Sequence, residues 1–149
     1  MDSLVSFFED KASRFSGNPY LWEKRDGEYR AATYGETREM IHHFAAGLRE
    51  LGIQKGDRLT LLSEGRTWWV VAEMAMFYLS AIDVPISIQL NEPADLKFRI
   101  THSQSRMVVV SGSQLRKIKA IRQELPEVEK LILMDPRSTT KPTRCTWAM

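Results

Sequence analysis

The chain has 149 residues, the length of one ordinary domain. Lys and Arg number 21 against 19 Asp and Glu, a net charge of +2, with 43% hydrophobic and 27% charged residues. That balance excludes disordered and collagen-like chains, the single cysteine (Cys145) excludes an internal disulfide framework, and no apolar run approaches the roughly 18 residues of a membrane span.

The opening Met1-Asp2-Ser3-Leu4 lacks the basic-then-apolar pattern of a secretory signal, so a cytoplasmic address is expected. The positive charge is local. Residues 136–149 hold Arg137, Lys141 and Arg144 and no acid, leaving 18 basic against 19 acidic residues elsewhere. Nucleic acid is therefore not expected as a partner.

Residues 4–15 are predicted to form a short amphipathic helix with Leu4, Phe7, Phe8 and Phe15 on one side. Gly17-Asn18-Pro19 ends it. Tyr20 to Trp22 and Tyr29 to Tyr34 flank Asp26-Gly27, the pattern of a hairpin whose turn residues both need positive φ. Thr33-Tyr34-Gly35-Glu36 fits a capping box, opening a helix with Met40, Ile41, Phe44, Ala45, Leu48 and Leu51 inward and Gly52 as its stop.

A turn at Gln54-Lys55-Gly56-Asp57 leads to a strand from Arg58 to Leu62, and Ser63 to Arg66 form a loop. The next helix, 67–80, is apolar nearly all round, which requires cover on most faces, from a sandwiched position or from a partner domain missing here. Strands at 83–88, 106–110 and 130–134 then alternate with helices starting at Asn91-Glu92-Pro93 and at Ser111-Gly112-Ser113-Gln114. Such alternation means β-α-β units, a mostly parallel sheet and right-handed crossovers. The stretch 136–149 has no periodicity and no Leu, Ile or Val, and is expected to be a disordered tail foreign to the fold.

Four stretches, in this order and spacing, resemble the adenylate-forming superfamily of acyl-CoA synthetases, luciferases and peptide-synthetase adenylation domains. They are Ala32 to Glu36 with the helix through Leu51-Gly52; Lys55-Gly56-Asp57-Arg58 with Leu59 to Ser63; Phe77 to Ser87, containing Val84-Pro85; and Ile100 to Ser103 with Met107 to Val110. Ser63-Glu64-Gly65-Arg66 followed by Trp69 is most similar to bacterial long-chain fatty acid–CoA ligases. Ser80 stands where the family usually has Gly, and Gly65 where many members have Asn.

The resemblance covers residues 4–135. It implies an α/β fold: the N-terminal subdomain of the adenylate-forming fold, a mostly parallel sheet with flanking helices plus an N-terminal β-hairpin. Residues 1–135 are then the N-terminal part of an AMP-binding domain. The parent reaction joins a fatty acid to CoA through an acyl-adenylate, using ATP, CoA and Mg²⁺. The resemblance also implies a cytoplasmic enzyme able to lie peripherally on the inner membrane.

The family's phosphate-binding string, of the type S-G-T-T-G-x-P-K, is absent. Arg137-Ser138-Thr139-Thr140-Lys141-Pro142 lacks every glycine needed to wrap phosphate. The chain alone is thus expected to be inactive, to bind none of these cofactors tightly, and to be prone to self-association through exposed sheet edges. The alternative is a stand-alone, non-catalytic module that binds acyl chains or a partner. A small nucleotide-binding protein would need a Gly-rich turn, and Gly65 and Gly112 stand alone.

Glu64 and Arg66 are the candidate substrate or subdomain contacts, because they follow a strand's carboxyl end, where open α/β sheets place ligands. His42 and His43 are adjacent on a helix and cannot chelate together. His102-Ser103 lacks a local acid for a nucleophilic dyad. Arg116, Lys117, Lys119 and Arg122 read as a solvated basic helix face, and Trp68, Trp69 and Phe77 as core rather than acyl tunnel.

Overall fold

A computed structural model describes residues 3–135. The expected tail at 136–149, with Cys145, lies outside the described residues. The elements run α1 (Leu4–Arg14), β1 (Pro19–Arg25), β2 (Glu28–Thr33), α2 (Tyr34–Glu50), β3 (Arg58–Leu62), α3 (Thr67–Tyr78), β4 (Ile82–Pro85), α4 (Pro93–His102), β5 (Met107–Val110), α5 (Leu115–Ile121) and β6 (Lys130–Leu133). A 3-10 turn, Arg122–Glu124, follows α5.

β3, β4, β5 and β6 form one parallel sheet in the order β4-β3-β5-β6, and β1 and β2 pair as a separate antiparallel hairpin. The chain steps from β3 outward to β4, then returns past β3 to β5 and β6. A right-handed crossover reverses face when it reverses direction. Accordingly α3 packs on the face bearing Leu59, Leu61, Met107, Val109 and Ile132. α4 and α5 pack on the face bearing Leu62, Val108, Val110 and Leu131. The expected α/β architecture with its hairpin is what the chain adopts.

Local chemistry explains the elements. The Asp26-Gly27 turn has φ of 52° and 85°, as a type I′ turn demands. At Thr33 the capping box is complete: Glu36 N–H donates to Thr33 Oγ1 at 3.1 Å, and Thr33 N–H donates to Glu36 Oε2 at 2.8 Å. Gly35 is required by a close approach, since a Cβ there would sit 2.6 Å from Ser16 Oγ. Among the described residues β4 is an edge strand, and it ends at Pro85, which has no amide to extend a ladder.

α3 is sandwiched between the sheet, α1, α2 and the hairpin, which answers its apolar circumference. Trp68, Trp69 and Phe77 pack partly buried against that core. Its N-terminus has no local side-chain cap; Glu23 of β1 accepts from Thr67 N–H at 3.3 Å instead. α1 differs from expectation: Phe8 and Ala12 are its buried side, while Leu4, Phe7 and Phe15 are exposed. The expected stripe counted hydrophobicity, whereas contact with α2 and α3 selects the Phe8–Ala12 side, where Glu9 also accepts from Tyr78 and pairs with Arg38 (2.8 Å) and His42 (2.9 Å).

The amino ends of the sheet are tied by Arg106. It donates to Gly52 O (2.8 Å), Asp57 Oδ2 (2.7 Å) and Glu129 Oε1 (2.6 Å), fastening the Lys55-Gly56-Asp57 turn to β5 and β6. Among the described residues no helix is long and apolar enough to cross a membrane.

Two stability measurements check this packing. Leu61 is fully buried at the centre of the sheet, so Leu61→Ala should lower unfolding free energy by about 2–5 kcal/mol in denaturant melts. Ser80 is exposed at φ 54°, the left-handed region that glycine enters freely. Ser80→Gly should raise stability by about 1 kcal/mol, and a loss of stability would contradict the strain.

Candidate functional site

The chain leaves β3 toward one face of the sheet and β5 toward the other, so the carboxyl ends of these neighbouring strands hold the position of the ligand crevice in open α/β sheets. Both predicted site residues lie there. Glu64 follows β3 and faces the loop after β5. Its Oε2 accepts from Ser111 Oγ at 2.8 Å; its Oε1 accepts from Ser113 Oγ at 2.6 Å and Gln114 Nε2 at 2.5 Å. Burial pushes the Glu64 carboxyl up, but the bonds from Ser113, Gln114 and Ser111 together outweigh it and hold the group down at about 2.

Arg66 does not join Glu64. Its Nη2 pairs with Asp135 Oδ1 at 2.6 Å, and the other Asp135 oxygen accepts from Gly112 N–H. The two carboxylates therefore bracket the Ser111–Gln114 loop, one from β3 and one from the end of β6. Sequence reasoning missed Ser111, Gly112, Ser113, Gln114 and Asp135 as partners. Each sits just past the carboxyl end of β5 or β6, the one signal that could have grouped them with Glu64.

This arrangement determines what the crevice can hold. A nucleotide phosphate would need free donors and positive charge. Here the hydroxyls of Ser111 and Ser113, the Gln114 amide and the Gly112 N–H already serve the chain's own carboxylates, and Arg66 is paired. The residues present do not fit ATP or CoA phosphates. Among the described residues no cluster of three His, Cys, Asp or Glu could hold a metal ion.

The other candidates separate. His42 and His43 are both exposed, and His42 lies against Glu9 and Tyr78. Ser103 Oγ donates to Ile100 O at 2.9 Å, while His102 stacks on Phe98 with ring centres 5.3 Å apart, so the two make no dyad. Lys117 and Arg122 depart from a solvated basic face. Lys117 Nζ donates to Ile88 O (2.6 Å) and Leu90 O (3.2 Å), and Arg122 to Leu125 O (2.9 Å) and Val128 O (2.8 Å). Arg116 and Lys119 remain exposed.

The Glu64 clasp has a measurable signature. A carboxyl depressed in the folded state stabilises above its unfolded pKa, and that contribution is lost as pH falls from the ordinary carboxylate range through about 2. Glu64→Gln should remove part of the acid-limb loss of stability over that window. Glu64→Ala should cost about 1.5–3 kcal/mol at neutral pH by stranding the loop's donors.

Comparisons with known proteins agree with this architecture. The family model for AMP-binding enzymes matches residues 8–148, a span that begins in α1 and continues past β6. Long chain acyl-CoA synthetase 8 of Arabidopsis thaliana is 31% identical over 109 residues, 73% of this chain and 15% of that protein. A long-chain-fatty-acid–CoA ligase of Thermus thermophilus is 25% identical over 136 residues, 91% of this chain and 25% of that protein. An anthranilate CoA ligase solved with anthranoyl-AMP superposes with a TM-score of 0.79 at 23% identity, over 87% of this chain and 24% of that one. The chain thus spans a quarter or less of the length of these relatives. By the extent of the match, from α1 through the whole sheet, the chain belongs to the AMP-binding enzyme family.

Proposed function

We propose that this chain is the N-terminal part of an AMP-forming long-chain fatty acid–CoA ligase and that, by itself, it is a scaffold without catalytic chemistry. The observation that carries the reading is the family match across residues 8–148 combined with strand ends where the Ser111 and Ser113 hydroxyls, the Gln114 amide and the Gly112 N–H are engaged by the chain's own carboxylates. The names of two relatives support a long-chain fatty acid as the parent's substrate, while the anthranilate ligase shows an aromatic acid handled on the same fold.

In the parent reaction ATP activates the carboxylate as an acyl-adenylate, pyrophosphate leaves, and CoA displaces AMP. Phosphate binding in that reaction needs a Gly-rich loop ending in Lys, and this sequence contains none. The residues of this chain serve the reaction by holding its sheet in register: Arg106 at the amino ends, Glu64 and Asp135 at the carboxyl ends.

One observation favours a second reading, a stand-alone acyl- or partner-binding module. Leu4, Phe7 and Phe15 expose 56%, 42% and 41% of their surface on and just after α1. ATP–pyrophosphate exchange with palmitate, together with palmitate binding, separates the readings. The scaffold reading expects neither exchange nor saturable binding by this chain. Binding without exchange selects the module, and exchange above the protein-free control contradicts both.

A further inference from the structure

Outside the crevice, one half-buried ionisable pair has no role in anything described above. Asp83 lies on the edge strand β4 at the register position of Leu59, so its side chain points under α3. Both of its carboxyl oxygens are shut off from solvent, and neither has a hydrogen-bond partner. Glu73 of α3 faces it within hydrogen-bonding reach. Two ionised carboxylates offer each other no donor, so a bond between them exists only when one carries a proton.

Among the described residues no cation favours the ionised form of either carboxyl. From β1, Tyr20 faces Glu73 with a protonated phenol, its ionisation opposed by burial, by Tyr34 and by Glu73 itself. From β3 the neighbour is the apolar Leu59. The Val84 backbone amide favours the ionised form of Asp83 only weakly and makes no full hydrogen bond to it. Burial, then the charge of Glu73 and the bond to it, push the Asp83 carboxyl up to about 7; burial also raises Glu73.

We infer that Glu73 and Asp83 share a single proton and form a pH-sensitive latch that holds edge strand β4 against α3. With the proton present, one carboxyl donates to the other and the pair is neutralised to a single charge. When it is lost to solvent, two carboxylates face each other, with the Asp83 oxygens shut off from water. β4 is the element that yields, because among the described residues it has one strand neighbour. A carboxyl raised in the folded state contributes fully below its unfolded pKa, so the latch is strongest in acid, weakens as pH climbs out of the ordinary carboxylate range and is lost as pH rises through about 7.

The test is amide hydrogen exchange at Ile82 and Ile86, which donate to Asp57 O at 2.8 Å and Leu61 O at 2.9 Å across the β3–β4 boundary. Corrected for intrinsic exchange, their protection should fall on the order of tenfold or more between pH 5.5 and pH 8. Protection at Val108 of β5 should change far less. Asp83→Asn and Glu73→Gln should each flatten the response. A flat response in the unmodified chain, or an undiminished one in Asp83→Asn, overturns the latch. Carbon-13 titration of the unmodified chain decides the same question if a variant fails to fold. One of the two carboxyls should titrate near neutrality, and midpoints of both between about 3 and 5 would refute the shared proton.

Discussion

The structure depends on burying β3 from both faces at once. Leu59, Thr60, Leu61 and Leu62 are all fully shielded, and the strand has neighbours on both sides. Once β3 is central, the chain must leave it in one direction and return to the other. That places α3 on one face and α4 and α5 on the opposite face. The polar Thr60 is tolerated because its hydroxyl donates to Ser105 Oγ at 2.8 Å, within the buried layer.

Charge then fixes the two ends of a sheet that hydrophobic packing alone would leave free to splay. At the amino ends Arg106 gathers a turn carbonyl and two carboxylates. At the carboxyl ends the polarity is inverted: carboxylates from Glu64 and Asp135 gather hydroxyl, amide and guanidinium donors. The same inversion makes the crevice unsuited to phosphate. A position that open α/β sheets commonly give to a ligand is used here to tie β3, β5 and β6 together.

Features carried by neighbouring residues were legible in the sequence. The Thr33–Glu36 capping box, the Asp26-Gly27 turn and the strand Arg58 to Leu62 each involve residues a few positions apart, and all three form as expected. So does the covered position of α3, where the sheet, α1, α2 and the hairpin supply the cover that its apolar circumference needs. The departure at Ser80 acquired a physical meaning only with its φ of 54°. Features set by topology were not legible. Glu64 meets Ser111 across 47 residues, Arg66 meets Asp135 across 69, and Glu23 caps α3 from 44 residues away. Glu64 and Arg66 do lie at a strand end, yet nothing in the sequence showed that they belong to separate pairs. Lys117 and Arg122 read as solvated because sequence periodicity does not see the loop carbonyls they reach.

Family membership and local chemistry point to different parts of one enzyme. The fold is that of AMP-binding enzymes, while the groups this chain presents at its strand ends are already bonded to one another. Calorimetric titration of the chain with Mg²⁺-ATP tests that claim most directly. No saturable heat is expected up to about 1 mM nucleotide, corresponding to less than about 4 kcal/mol of binding free energy. Saturable one-to-one binding in the micromolar range would contradict it, because the crevice would then hold phosphate despite its own carboxylates.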